Sequence, residues 1–335
     1  MARSLVDGFG RVHRDLRISV TDRCNFRCRY CMPEEGLAWT PREQLLTFEE
    51  IERVARLLVG EFGMESIRLT GGEPTVRAGL PDLVARLGAL TDDRGRRVDL
   101  AMTTNGVLLD AQAAPLRAAG LHRVNISLDT LRSDRFEAIT RRNEFHRVLV
   151  GIDAAVAAGF VPVKVNCVVM RGVNDDELVD LARFGRDAGV EMRFIEYMPL
   201  DADRRWAQDG VVPAREIVER VAGEFPVERQ HGGVGSAPAT RYRYLDGGGM
   251  FGVIPAVTDA FCGACDRIRL TSEGKLRNCL FAVDEFDLRS PLRSGADDEA
   301  LCAVVQRCVS AKWAGHGIGN VNFIRPARSM SQIGG

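Results

Sequence analysis

Six short runs rich in β-branched residues, each followed by an amphipathic helical run, fill the chain from its start to about residue 224. Such alternation places successive strands side by side in a parallel sheet, with the helices as crossovers covering one face. The strands are predicted near 16–20, 66–69, 98–102, 123–127, 161–169 and 191–196. The helices are predicted near 48–60, 79–90, 110–119, 146–158, 175–188 and 213–223. Six such units make a partial barrel, an α/β fold whose ligands belong at the C-terminal ends of the strands.

After residue 225 the texture changes to a glycine-rich stretch at 231–235, then short strand-like segments around 241–245 and 251–254 separated by Gly247-Gly248-Gly249. A hairpin is predicted from 266–271 and 275–279, with a helix near 299–312 and an irregular tail. The predicted domains are therefore 1–224 and a smaller α+β unit, 225–335. With 45% hydrophobic and 27% charged residues the 335-residue chain has ample material for a core. Its 45 Lys plus Arg against 46 Asp plus Glu give no net field for a long polyanion, so no nucleic-acid partner is expected. No segment has membrane-spanning length and the first residues do not form a signal core, so a cytoplasmic protein without a membrane partner is expected.

Nine cysteines are too few for a disulfide scaffold of this size, which makes their spacing the informative feature. Cys24, Cys28 and Cys31 form C-x3-C-x2-C in the loop after the first strand, flanked by Arg23, Arg27 and Arg29. Thiolates suit zinc and iron–sulfur clusters alike; zinc's structural sites want four protein ligands, whereas three cysteines on a cubane leave one iron open. Gly71-Gly72-Glu73-Pro74 follows the second strand, where glycines allow close backbone approach to a ligand. A second trio, Cys262, Cys265 and Cys279, is spaced C-x2-C-x13-C, with the hairpin returning its last member to the pair. From spacing alone a zinc site completed by His316 stands beside a second open cluster. Cys167, Cys302 and Cys308 join neither trio and read as small core residues.

The chain contains no Gly-x4-Gly-Lys-Ser/Thr loop, so arginines are the candidates for binding a phosphorylated ligand. Arg17 lies on the first strand, Arg68 on the second, and Arg267 and Arg269 alternate on one face of the hairpin. Guanidinium groups hold phosphate bidentately without tuned protonation.

The first trio, with the glycine turn after it, resembles the radical S-adenosylmethionine (SAM) superfamily. The stretch from Phe261 through Cys262, Cys265, Asp266-Arg267-Ile268-Arg269 and Cys279 to Phe281 resembles the GTP 3′,8-cyclases of molybdenum cofactor biosynthesis. So do Gly315-His316, Arg328-Ser329-Met330 and the closing Gly334-Gly335. One departure is Ser236-Ala237-Pro238-Ala239 before Tyr242, where that family often shows Gly-Pro-Ala followed by a tyrosine. The resemblance implies an incomplete (β/α)6 barrel with a C-terminal domain carrying a second cluster. It implies two [4Fe-4S] clusters, one on each trio, and SAM as cofactor. Tyr30, Gly72, Ser127 and Met198 would contact SAM, and Arg17, Arg68, Thr103, Lys164, Arg267, Ile268 and Arg269 would contact GTP. Arg17, Arg267, Arg269, Gly334 and Gly335 would complete the catalytic site. The implied reaction starts with a 5′-deoxyadenosyl radical that removes the 3′ hydrogen of GTP; the C3′ radical then attacks C8, giving 3′,8-cyclo-7,8-dihydro-GTP. Implied partners are an electron donor, the pyranopterin synthase that takes the product, and a second copy in a homodimer. The rival readings are a radical SAM enzyme acting on a peptide and a non-catalytic iron–sulfur or zinc protein.

Overall fold

The computed structural model describes residues 3–201, 204–230, 236–321 and 323–334. Its strands are β1 (Asp15–Ser19), β2 (Ser66–Thr70), β3 (Asp99–Thr104), β4 (Arg123–Ser127), β5 (Lys164–Val169), β6 (Glu191–Glu196), β7 (Val227–Arg229), β8 (Thr240–Tyr244), β9 (Met250–Ile254), β10 (Arg267–Leu270), β11 (Lys275–Arg277) and β12 (Phe286–Asp287). The helices are α1 (Phe48–Phe62), α2 (Leu80–Gly88), α3 (Leu109–Ala118), α4 (Ser133–Thr140), α5 (Phe145–Ala157), α6 (Leu178–Asp187), α7 (Ala214–Glu224), α8 (Arg289–Arg293), α9 (Asp298–Ser310) and α10 (Met330–Ile333).

Local chemistry sets these bounds. In α1 a capping box between Thr47 and Glu50 satisfies the first N–H groups, and Gly63 closes the helix in a left-handed conformation. Between those ends Ile51, Val54, Ala55, Leu58, Val59 and Phe62 recur at helical spacing and are buried. The predicted strand at 161–169 begins only at Lys164, because Pro162 has no N–H to give a ladder.

β1 to β6 pair in parallel and in chain order, as the six-unit reading requires. The strands after residue 225 extend both edges of that same sheet. β9 pairs parallel with β6, and β10 pairs parallel with β1, so the order is β12-β11-β10-β1-β2-β3-β4-β5-β6-β9-β8-β7. The chain around Cys262 and Cys265 thus leads straight into a strand beside β1, whose far end opens into the loop of the first trio.

Period-two alternation gives the sheet two unlike faces. The helix-covered face carries Leu16, Ile18, Ile67, Leu69, Leu100, Met102, Val124, Ile126, Val165, Cys167, Met192 and Phe194, all 0–1% exposed, and it forms the core. The opposite face carries Arg17, Arg68, Thr103, Asn125, Lys164 and Arg193. A barrel packed as a core would fill that interior with branched apolar side chains; here the lining is built for polar contents. The sheet also curls. Four strand spacings would separate β2 from β6 by about 19 Å if it were flat, yet Arg68 and Arg193 feel each other's charge.

Candidate active site

Strand register brings the predicted arginines into one row. Arg17 stands beside Arg269 on one side and Arg68 on the other, while Arg267 stands beside Asp15. On the facing strands Asn125 lies beside Lys164, and Asn166 beside Arg193. Asp15 and Glu191 are the carboxylates among them, with Arg193 paired to Glu191 at 2.5 Å. Arg17 Nε, Arg68 Nε and Nη1, Arg193 Nε, Arg267 Nε and Arg269 Nε are buried without a hydrogen-bond partner among the described residues. Buried donors are rarely left orphaned, so this cavity is shaped for an anion with many acceptor oxygens.

Crowding of like charge confirms the mismatch. Enclosure, then Arg267 and Arg269, push the pKa of Arg17 well down. Burial takes Arg68 and Arg269 to about 10. Lys164 falls to about 8, through burial first and Arg193 next. Because an anion favours the protonated ammonium, its binding will draw a proton onto Lys164 near that pH. Affinity for a phosphorylated ligand is therefore expected to be flat from pH 6.5 to 7.5 and to weaken by about tenfold per pH unit above 8. Calorimetry in buffers of differing ionisation enthalpy should show proton uptake at pH 8 that Lys164→Met abolishes. Affinity unchanged to pH 9 would show that Lys164 stays charged without the ligand.

Arg193 escaped the sequence reading because Glu191-x-Arg193 looks like an ordinary strand ion pair. A usable signal lay opposite it: Gly252 is its neighbour on β9, where a Cβ would stand 2.8 Å from the Arg193 guanidinium. Ile268 is on the other face, its side chain in the core beside Leu16, so only its main chain borders the cavity.

The first trio sits in the loop after β1. Its thiols crowd one another: burial, then Cys31 and Cys24, hold the Cys28 thiol well above its ordinary pKa, and burial pushes Cys24 and Cys31 up to about 12. Main-chain and hydroxyl groups of Ser331 on α10 donate to Cys31. Tyr30, beside Cys31, is fixed by its hydroxyl, which donates to Asp129 Oδ2 at 2.7 Å; burial raises that carboxyl to about 6. Ser127 ends β4 and Met198 follows β6, both at the strand ends that face this loop.

The glycine turn has a structural duty nearer than a ligand. Gly72 N donates to Thr21 O at 2.8 Å and Glu73 N to Arg23 O at 2.8 Å, which ties the turn to the backbone leading into Cys24. Gly71 adopts φ 146°, and a Cβ there would lie 2.4 Å from Thr21 O. Gly71→Ala is expected to cost roughly 2–4 kcal/mol, seen as a lower Tm together with weaker metal binding by the first trio. Full stability would contradict this packing. Glu73 turns inward, taking hydrogen bonds from Thr75, from Thr104 Oγ1 at 2.6 Å and from Asn105 N at 2.6 Å, so it braces the ends of β2 and β3.

The second trio brackets β10 and β11. The Cys262 thiol is raised by burial, whereas Cys265, also pushed up by burial, is pulled below its ordinary value by Lys312 and then Arg267. His316 is not free to complete a zinc site: its Nε2 meets Ala256 O at 3.0 Å and its Nδ1 accepts from Ile318 N at 3.0 Å. Among the described residues no three His, Cys, Asp or Glu side chains converge tightly enough to cage a single ion. The three thiols, near enough that Cys279 and Cys265 act on the charge of Cys262, match the donor set of a cubane, whose ligands bind different irons. The departing residue Ser236 touches this region, its hydroxyl on Asp266 and its carbonyl accepting from Arg267 Nη2 at 2.9 Å.

The tail closes the gap between the trios. Arg328 binds Glu273 at 2.5 Å and Glu285 at 2.6 Å, α10 reaches Cys31, and the carbonyl of Gly334 accepts from Arg269. A Cβ on Gly334 would stand 2.5 Å from Thr70 Oγ1. Gly335 and the glycine-rich stretch 231–235 lie outside the described residues.

A sequence profile of the radical SAM superfamily matches residues 18–185, and one for molybdenum cofactor synthesis, C-terminal part, matches residues 190–318. The second begins before β6, so it includes β6 and α7 of the barrel. A protein of Corynebacterium glutamicum named GTP 3′,8-cyclase is 48% identical over 338 residues, covering 99% of this chain and 90% of that protein. One of the same name from Streptomyces coelicolor is 48% identical over 335 residues, covering 100% of this chain and 97% of its own. The chain belongs to the GTP 3′,8-cyclase family. The fold of this cyclase family member is shared with Streptococcus suis SuiB, whose crystal structure bound to S-adenosylmethionine superposes with a TM-score of 0.59 at 14% identity over 88% of this chain and 68% of that one. Both profiles contribute to the lining of the cyclase cavity: Arg68 falls within the first and Arg193, Arg267 and Arg269 within the second, while Arg17 stands just before the first.

Proposed function

We infer that this chain catalyses the cyclisation of GTP to 3′,8-cyclo-7,8-dihydro-GTP, the first step of molybdenum cofactor biosynthesis. The observation that carries the reading is the row of guanidinium groups with buried nitrogens left without a hydrogen-bond partner among the described residues, between two cysteine trios in a chain of this family. When bound, the first [4Fe-4S] cluster supplies the electron that cleaves SAM to a 5′-deoxyadenosyl radical.

The chain's own contribution is placement and exclusion of water. Cys24, Cys28 and Cys31 would hold the first cluster, leaving one iron for SAM. Tyr30, oriented by Asp129, would border the adenine, with Gly72, Ser127 and Met198 along the rest of SAM. Cys262, Cys265 and Cys279 would hold the second cluster, which would offer an open iron to the guanine. Arg17, Arg68, Lys164, Arg267 and Arg269 would take the phosphates through charge-assisted bonds, with Thr103 and the main chain at Ile268 bordering the nucleotide and Arg193 added to the set. Fixing the triphosphate keeps the ribose within reach of the radical, which is the geometric requirement for hydrogen transfer. Gly334, held by Arg269, and Gly335 would shut the cavity against solvent that quenches radicals.

The two regions 1–224 and 225–335 would act as one body, since the second supplies strands to both edges of the first. No described helix is long and apolar enough to cross a membrane. The reaction would be fed by a reductant and followed by the pyranopterin synthase in the cytoplasm, with a homodimer as the expected assembly. The experiment is turnover of anaerobically reconstituted protein with SAM, reductant and GTP. The reading predicts a product of the same mass as GTP that elutes separately, formed with 5′-deoxyadenosine. SAM cleavage that leaves GTP intact would overturn it.

A further inference from the structure

Lys312, two residues beyond α9, is 5% exposed and has no place in the substrate cavity. Each proton of its ammonium has an acceptor. One goes to His13 Nε2 at 2.9 Å and one to Arg267 O at 2.8 Å; the third lies between Cys265 O at 3.3 Å and Cys265 Sγ at 3.6 Å. His13 is fully buried, its pKa pushed down to about 4 by burial and then by Lys312, and because an ammonium can only donate, its Nε2 is the acceptor. Asp7 lies 3.7 Å from His13 and is engaged by Arg11 Nε at 2.6 Å and by the main-chain N–H groups of Phe9 and Arg11. Among the described residues no carboxylate forms an ion pair with Lys312.

A buried ammonium surrounded by carbonyls and a neutral imidazole is uncompensated, and buried charges persist when paired. The anion within reach is the thiolate of Cys265 once it is a ligand. Resting on the reading that Cys262, Cys265 and Cys279 ligate a cluster, we propose that Lys312 is a positioning residue that supplies a fixed positive charge to the second cluster and raises its reduction potential. Charge and hydrogen bonds at the sulfurs are among the levers that set such potentials. The cation is closest to Cys265 of the second trio and does not touch the first, so its effect is confined to one of the two clusters.

The test uses full-length protein with Cys24, Cys28 and Cys31 replaced by alanine, so that the signal observed belongs to the second cluster. An EPR-monitored redox titration compares this protein with versions also carrying Lys312→Met, which removes charge and donor, or Lys312→Gln, which keeps a donor without charge. Both are expected to lower the midpoint by at least 59 mV, a tenfold shift in the reduced-to-oxidised ratio for one electron, with iron and sulfide content unchanged. A midpoint unmoved in both, or kept by the glutamine variant, would overturn the assignment of charge. Should the variants not fold, native protein labelled with 15N-lysine gives a second measurement. Pulsed EPR of the reduced second cluster should then show a lysine nitrogen coupling, and its absence would overturn the proposal. A triple-alanine background without any cluster would overturn the ligand reading beneath it.

Discussion

Cys28→Ala is expected to bring SAM cleavage down to the level of the protein-free control and to cut bound iron from about eight to about four atoms per chain. The size of the effect follows from the trio's geometry. Burial and the neighbouring thiols Cys31 and Cys24 hold the Cys28 thiol protonated in the empty protein, so the group becomes a thiolate only when iron takes the charge. With two thiols left, the first cluster lacks the ligands to persist, while the second trio, flanking β10 and β11, shares none of its residues. Iron quantification with 5′-deoxyadenosine assay checks both halves. Retained cleavage activity would mean that the electron reaches SAM from elsewhere.

Arg17→Met should separate stability from activity. The guanidinium stands between Arg269 and Arg68 in register, and enclosure with Arg267 and Arg269 already disfavours its charge. Replacing an uncompensated buried charge by an apolar side chain of similar length is commonly neutral or stabilising, so Tm of the empty protein should hold or rise. The phosphate it would bind loses a charge-assisted partner at a cost of about 2–5 kcal/mol. That corresponds to a fall in kcat/KM for GTP of roughly 30- to 4,000-fold. SAM cleavage without GTP should continue, because the charged groups that Arg17 feels are Arg267, Arg269, Asp15 and Arg68, none of them in the first trio's loop. A variant that melts early would reveal Arg17 as a structural residue instead, and one with normal kcat/KM would remove it from the phosphate site.

Local pattern was enough for the strands Arg123–Ser127 and Glu191–Glu196, whose alternation stands out against flanking glycines and helices. It also placed the hairpin of β10 and β11, because Ser272-Glu273-Gly274 is turn chemistry. What pattern could not give was edge pairing between distant segments. β10 joins β1 across some 250 residues, and its polar face of Arg267 and Arg269 has a meaning only once Arg17 is seen beside it. α4 (Ser133–Thr140) was missed because it is short and charged, with Phe136 and Ile139 as its main apolar anchors. α10 is only four residues long, yet Ser329 and Gln332 spell its capping box in the sequence. The arginines were found by their nearness to cysteine loops, and Arg193 was not, having no such landmark. Lys312 carried no sequence signal, since a lysine after a helix is most often a surface cap.

Transfer of a hydrogen from C3′ of GTP into SAM's adenosyl group is the step on which the whole account turns. Anaerobically reconstituted protein given SAM, a strong reductant and GTP deuterated at C3′ reads it directly by mass spectrometry. Deuterium appearing in 5′-deoxyadenosine, one atom per turnover, is the predicted result. SAM cleavage that yields only unlabelled 5′-deoxyadenosine would contradict the account, leaving the radical chemistry in place and removing GTP as its substrate.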